Sequence, residues 1–285
     1  MKRNAVIRII AWTVSLVILV ALLVAGMNWF RPFGFSMKKA NAPLAPVEGS
    51  GRLGEASVFS GDIREIEIDW VSGNIRVEPA NVDSIEITET PVDDSRYAMV
   101  CTQNGHTLKI QYCRSNTFGD WKNLKFSKDL TVLVPKNWSG KAIKVDAASA
   151  KLSVQDLTIQ EVEVDTASGS SRFDNCTVDT LDVDTASGDV RFSGNLNRLD
   201  CDSASAGIYA ELDNVPSEID MDTASGSVEL VLPKDAGFAV HMDTMSGKFD
   251  SDFPYSAKNG VYLSGNGACR IDMSSMSGKV SIRSK

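Results

Sequence analysis

The chain has 285 residues, of which 43% are hydrophobic and 23% charged, enough apolar material for a sizeable core and too little bias for a disordered or low-complexity chain. Its formal net charge of −8 and pI near 4.9 exclude a nucleic-acid binder, whose phosphate contacts need a basic footprint. The same acidity argues against an anionic membrane surface as the partner of the folded part.

Residues 1–8 carry Lys2, Arg3 and Arg8 and precede an uncharged apolar run over residues 9–30, long enough to cross a bilayer as one helix. Arg31, Lys38 and Lys39 follow, and the nearer basic cluster favours a cytoplasmic N-terminus for residues 1–8. Trp12 and Trp29 stand near the two ends of the run, where indoles anchor at membrane interfaces. The run is longer than the apolar region of a cleaved secretory signal, and Ala40-Asn41-Ala42 lies far past it, so a single-pass signal anchor is preferred to a cleaved leader. Residues 31–57, with Pro32, Pro43, Pro46, Gly49, Gly51 and Gly54 and little periodicity, predict a flexible tether.

The folded ectodomain is expected over residues 58–285, on the extracytoplasmic side. Ile66, Ile68, Ile75 and Val77 bracket the turn Asp69-Trp70-Val71-Ser72-Gly73 and predict an early coil over residues 62–78. Trp70 has two readings there: bulk that covers the open face of an end coil, or an aromatic face that stacks a ligand. Residues 84–135 predict a strand-rich hairpin insert that breaks the period. Within it Ser84 to Thr90 alternates, and Tyr97 to Gln103 and His106 to Cys113 flank Asn104-Gly105, a two-residue hairpin signal that would set Cys101 opposite Leu108. The loop from Arg114 to Lys125 holds Asn116, Phe118, Asp120 and Trp121, a mixture able to grip a sugar or a peptide. Trp70, Phe118 and Trp121 are therefore candidate partner contacts. A strand over Asp129 to Val134 ends at Pro135.

Beyond the insert one motif recurs. Aligned on its serine it reads Asp146-Ala147-Ala148-Ser149-Ala150, Asp165 to Gly169, Asp184 to Gly188, Asp202-Ser203-Ala204-Ser205-Ala206, Asp222 to Gly226, Asp243-Thr244-Met245-Ser246-Gly247 and Ser274-Ser275-Met276-Ser277-Gly278. The steps between Ser149, Ser168, Ser187, Ser205, Ser225, Ser246 and Ser277 are 19, 19, 18, 20, 21 and 31 residues. About 19 residues with period-two flanks suit one turn of a β-solenoid, and the fold class is all-β. The residue before each aspartate (Val145, Val164, Val183, Cys201, Met221, Met242, Met273) predicts an inward apolar column. The small alanine position is expected to face inward at the corner, and glycine after serine to supply a positive φ. The last step lengthens because residues 253–267 form an irregular excursion. A final coil over Ile271, Met273, Val280 and Ile282 then closes the stack, its basic tail (Arg283, Lys285) blunting the exposed edge.

The ladder Asp146, Asp165, Asp184, Asp202, Asp222 and Asp243 would repeat at about the 4.8 Å strand spacing, so something must offset carboxylate repulsion. Each aspartate is read as the first residue of an Asx-type turn that accepts the backbone N–H groups following it. A calcium column is the competing reading, but one carboxylate per coil is sparse and the Gly-Gly-rich calcium repeat is absent. A structural ladder predicts that Asp184→Ala and Asp202→Ala each lower the melting temperature.

Other chemistry is thin. Cys176 and Cys201 fall at core positions, the five cysteines show no CxxC spacing, and no disulfide framework is expected. His106 and His241 lie in separate repeats, and no Walker or dinucleotide glycine loop occurs. No cofactor and no metal is expected.

Repeated Asp-Thr-Ala-Ser-Gly turns followed by Asp-Val-Arg-Phe or Ser-Val-Glu-Leu strands, the early Ser-Gly coil, the Leu-Thr-Val-Leu-Val-Pro strand at 130–135 and the closing Met-Ser-Gly-Lys-Val-Ser-Ile resemble a bacterial family of unknown function. This is the putative-adhesin family, or toast-rack β-strand-repeat domain. Over residues 58–285 the resemblance implies a right-handed β-solenoid displayed at a bacterial envelope, associated with envelope-stress sensing and neighbouring membrane proteins, and without a catalytic residue to carry over. Ala150 and Ala206 depart from the glycine, so those corners are expected to be shaped differently. The expected function is a non-enzymatic scaffold for an envelope protein or a cell-wall glycan. A surface adhesin for glycan or a host molecule is the alternative, and a carbohydrate-active enzyme using solenoid carboxylates is the remote one. The oligomeric state is left open.

Overall fold

Apolar and polar residues alternate along almost every segment from Ser57 to Ser284, and each alternating run is a strand with its apolar side in the core. The computed structural model describes residues 56–91, 97–113 and 127–285, all within the unit Val47–Lys285. The apolar run 9–30, nearly all of the tether, and the loop that carries Phe118 and Trp121 lie outside the described residues.

Among the described residues nineteen strands form one continuous hydrogen-bonded sheet, wound so that neighbouring coils lie parallel and in register. The early coil, β2 (Glu65–Ala80), pairs from Glu65 to Val77 with β7 (Gly140–Gln155): Asp69 faces Asp146, Ser72 faces Ser149 and Gly73 faces Ala150. The ladder continues through β8 (Thr158–Thr166), β9 (Ser171–Thr185), β10 (Val190–Ser203), β11 (Ile208–Leu212), β12 (Glu218–Thr223) and β13 (Val228–Leu232). Val145, Val164, Val183, Cys201, Met221 and Met273 are buried one above another, and Met242 ends the column half-buried. In-register stacking of identical apolar positions is what lets a coil too small to hold its own core fold against its neighbours.

The insert is not outside the array. Its strands β5 (Thr107–Gln111) and β6 (Asp129–Pro135) run parallel to β2 and form a further rung on the side away from β7. That rung is closed by antiparallel strands: β4 (Val100–Asn104) on β5, and β3 (Ile85–Thr90) with β1 (Ser57–Phe59) beyond β6. The hairpin turn falls one residue later than Asn104-Gly105 predicts. Asn104 pairs with Thr107, Gly105 takes φ +60° at the first turn position, and Cys101 consequently faces Ile110 rather than Leu108.

The other end departs from sequence order. The strands β18 (Cys269–Ser275) and β19 (Lys279–Ser284) insert between β12–β13 on one side and β14 (Phe238–Thr244) with β15 (Lys248–Ser251) on the other. The excursion before them is ordered as the hairpin β16 (Ser256–Lys258) and β17 (Val261–Ser264), which caps β14 antiparallel. The basic tail therefore blunts no edge. Arg283 pairs with Asp250 at 2.7 Å and Asp252 at 3.0 Å on one neighbour, and Lys285 with Asp213 at 2.5 Å towards the other.

Candidate functional site

The repeated turn builds one corner of every coil. Alternation continues through it, so the aspartate points out, the next residue in and the alanine position out. Thr166, Thr185, Thr223 and Ser275 are buried, whereas Ala148 and Ala167 are exposed and Met245 is 79% exposed. The inward small residue is thus the threonine, not the alanine. Glycine is required for closeness rather than for φ. Among these corner glycines only Gly73 takes a positive φ, +114°. A Cβ on Gly169, Gly188, Gly226 or Gly278 would instead collide with the carbonyl oxygen of Ala150, Gly169, Ala206 or Gly226 in the coil beneath. Ala150 lies in β7, which with β2 continues as strand through its corner, whereas the Ala206 corner is broken between β10 and β11.

The turn N–H groups donate to the preceding coil. Ser168 N–H reaches Ala148 C=O at 3.0 Å, and Ser187, Ser205 and Ser225 repeat the bond. The alanine and serine N–H groups that an Asx turn would offer to Asp165, Asp184, Asp202 and Asp222 are thus engaged by the coil beneath, so the Asx-turn reading does not hold at these four corners. Their carboxyls stand outward in a file: Asp69, Asp146, Asp165, Asp184, Asp202, Asp222, then Ser274, then Asp243. Ser274 separates the last two, which sequence order alone would have stacked.

A second file, not singled out in the sequence, runs beside the first: Glu163, Asp182, Asp200, Asp220 and Asp272, each two residues before a ladder position. The signal was present as Asp182-Val183-Asp184, Asp200-Cys201-Asp202 and Asp220-Met221-Asp222. Cations meet this face only towards its ends. Lys109 reaches Asp69 at 2.9 Å, Lys144 reaches Glu163 at 2.5 Å and Arg270 reaches Asp272 at 2.6 Å, with the His241 imidazole 3.5 Å from the same carboxylate. Among the described residues, Asp182, Asp184, Asp200, Asp202, Asp220 and Asp222 have no cation within ion-pair distance.

Crowding shows in their titration. Partial burial first, and the neighbouring carboxylates second, raise Asp202 to about 7 and Asp146 to about 6. Asp165, Asp182, Asp184 and Asp220 are raised by the same causes. Asp146 and Asp165 also hydrogen-bond to each other, which raises the former and lowers the latter. Among the described residues no group of three or more His, Cys, Asp or Glu side chains has the arrangement of a metal site. A groove of about 260 Å³ runs along the corner past Ser205, Ser225 and Ser277, and no titratable side chain lines it.

Trp70 is 2% exposed and offers no face to a ligand; it lies inside, not over an open end. Its indole N–H donates to Lys128 C=O at 2.9 Å and its ring meets Tyr112 edge-on at 5.1 Å. Lys128 is buried with Glu89, and its ammonium makes three short bonds, to Glu89 Oε2 (2.6 Å), Tyr97 C=O (2.7 Å) and Tyr112 C=O (2.6 Å). Glu89 Oε1 accepts the Met99 N–H at 2.8 Å, and the ammonium lies 4.0 Å from the Tyr112 ring centroid. Burial lowers the Lys128 pKa while Glu89 opposes the shift. Every donor of the ammonium is used, so the network locks the insert to the early coil and leaves no free amine. The five cysteines are buried, and burial raises Cys101, Cys201 and Cys269 to about 12, which keeps those three thiols inert.

Solved structures similar to this chain include three from different bacteria. A "putative cell adhesion protein" from Clostridium sporogenes is 9% identical over 81% of this chain and 98% of its own, with a TM-score of 0.40. A "putative adhesin" from Bacteroides fragilis is 13% identical over 81% and 97%, with a TM-score of 0.43. A "putative lipid binding protein" from Parabacteroides distasonis is 17% identical over 82% and 98%, with a TM-score of 0.40. No curated protein sequence matches significantly. The profile of the family described as Toastrack DUF4097 matches residues 63–205 and again residues 141–283, two overlapping passes over the same repeat. The all-β stack of in-register coils is the toast-rack domain, and the chain belongs to the Toastrack DUF4097 family.

Proposed function

We propose that the chain is a non-enzymatic, single-pass envelope protein that displays its toast-rack domain outside the cytoplasm to bind or scaffold a protein or wall partner. The observation that carries this reading is how completely stacking uses the recurring residues. The apolar column, inward threonine and close-packed glycine build the corner, and the carboxyls stand in open files rather than paired across a cleft. The groove at the corner adds hydroxyls and backbone but no acid or base. The apolar run 9–30 supports the anchor, and the resemblance supports right-handed winding and a role in reporting or buffering envelope state.

Two measurements test this. Alkaline extraction with protease accessibility should leave the chain in the membrane with residues 57–285 cleavable only from outside; release by alkali would remove the anchor. Co-sedimentation of residues 36–285 with intact cells, isolated wall and vesicles, followed by crosslinking in the native membrane, should recover a wall or protein partner. Saturable binding to a defined glycan or to host cells would favour the adhesin, and turnover abolished by one aspartate substitution would overturn the non-enzymatic reading.

A further inference from the structure

Three of the four strands that form the terminal rungs of the stack are covered, and the fourth is not. The first rung ends in β5 and β6, which β4 and β3 cover antiparallel; the last ends in β14 and β15, and β17 covers β14 in the same way. Among the described residues β15 pairs with β19 alone. Lys248 N–H donates to Gly278 C=O and Asp252 N–H to Ile282 C=O, both at 3.0 Å, so the even-numbered residues spend their backbone groups on β19. Alternation then turns the N–H and C=O groups of Phe249 and Ser251 to the open edge. Apolar surface collects at the same end. Apart from Val58, the exposed large apolar side chains among the described residues are Met245, Tyr255, Leu263 and Met276, all on the last two rungs or their hairpin. The Tyr255 ring meets Phe249 edge-on at 5.1 Å, which carries this surface up to the open strand.

An uncovered strand edge accepts another strand, and the charges of β15 specify which. An antiparallel second β15 must set outward-turned residues against each other, and two registers do so with three residues of each strand opposed. One puts Asp250 on Asp250. The other puts Phe249 on Phe249 and Lys248 on Asp250 twice, with no like-charged pair. Inside the stack one continuous chain with a shared apolar column holds carboxyl over carboxyl; two separate chains meeting at an edge are under no such constraint and take the register with opposite charges. Lys248 is available for it. It is exposed, faces Lys279 in its own rung, and among the described residues has no carboxylate within ion-pair distance. We propose that the open edge of β15 docks a second copy of this chain, the two β15 strands pairing antiparallel about a two-fold axis at Phe249 and joining two stacks end to end. The inference rests neither on the membrane anchor nor on the partner proposed above.

Sedimentation equilibrium of the full-length chain in detergent micelles tests the association. The expected result is a monomer–dimer equilibrium whose Kd rises about ten-fold in Lys248→Glu, which sets a carboxylate on Asp250 of the other copy. Lys258→Glu, on the hairpin and outside the paired strand, should leave it unchanged. The register is read by zero-length amine-to-carboxyl coupling in an equilibrated mixture of unlabelled and isotopically labelled chains. Lys248 coupled to Asp250 should appear in mixed-label peptides. The product between Lys279 and Asp250, 3.2 Å apart in one chain, should stay single-label and checks that Lys248→Glu folds. A monomer at every concentration, a dimer indifferent to Lys248→Glu, or a Lys248–Asp250 product confined to single-label peptides overturns the proposal. So does Lys248 coupled in native membranes to a different protein without mixed-label product, which would give the edge to that partner.

Discussion

The middle of the stack and its two ends follow opposite electrostatic rules. From Glu163 to Asp222 each coil sets carboxyl over carboxyl, because parallel in-register pairing of a repeat places like on like. The rule that builds the apolar column therefore also builds a self-repelling face. The ends break the repeat. At one, the buried Lys128–Glu89 pair knits the insert together, and the Lys128 backbone bonds Trp70 and Ser72 of the early coil; at the other, a cationic coil is interleaved between acidic ones. The repeat propagates through its core, and charge is balanced where the repeat stops.

The largest way to disturb this contrast is at the insert end. Lys128→Met leaves Glu89 buried without its cation and should destabilise by about 3–5 kcal/mol. Adding Glu89→Gln should restore much of the loss, since neither partner is then an uncompensated charge; chemical denaturation of the three variants reads both effects.

In the middle, Gly188→Ala drives a methyl into the Gly169 carbonyl and should cost about 1–3 kcal/mol. Gly105→Ala, with open space around its Cβ and only its φ of +60° to strain, should cost at most about 1 kcal/mol. Equal costs would mean that the coils separate easily at their corners.

Acidity sharpens the comparison. Asp202 and Asp146 titrate higher in the fold than in the unfolded chain, so the native state holds more protons, and stability should rise as pH falls from 8 to 5. Asp62, Glu65 and Asp250, whose pKa values are lowered by hydrogen bonds to Arg64, Thr107 and Arg283, act oppositely and lose their contribution only at more acidic pH. A melting temperature that falls steadily from pH 8 to 5 would show that the acidic face carries no strain. By the same reasoning Asp202→Asn should stabilise at pH 8 by less than about 1 kcal/mol, seen as a higher melting temperature, with the gain shrinking towards pH 5. This reverses the direction expected when the ladder was read as a row of turn acceptors.

The smallest effect is expected at Ser274→Asp, which joins Asp222 to Asp243 through a third carboxylate. A loss of about 0.2–1 kcal/mol at pH 8, absent at pH 5, is predicted from thermal melts.

By itself the sequence determined the class, the repeat length, the apolar column from Val145 to Met273 and an early coil around Asp69 of the same kind as the later ones. These follow from period-two alternation and a recurring turn, both local signals that survive whatever the coils touch. The second acidic file was legible too, in the Asp-x-Asp pattern. Tertiary structure alone decided the rest. Which way the alanine and threonine face depends on whether the strand runs on into the turn, and the role of Gly188 depends on a carbonyl one coil away. Glu89, Tyr112 and Lys128 are scattered through the insert and share no period, so their meeting around Trp70 leaves no trace in one dimension. The order of the last coils is also three-dimensional. Any coil matches any other in its apolar column, and the interleaving is visible only in the finished stack, where Ser274 lies between Asp222 and Asp243 and Arg270 and Arg283 meet carboxylates of the two neighbours.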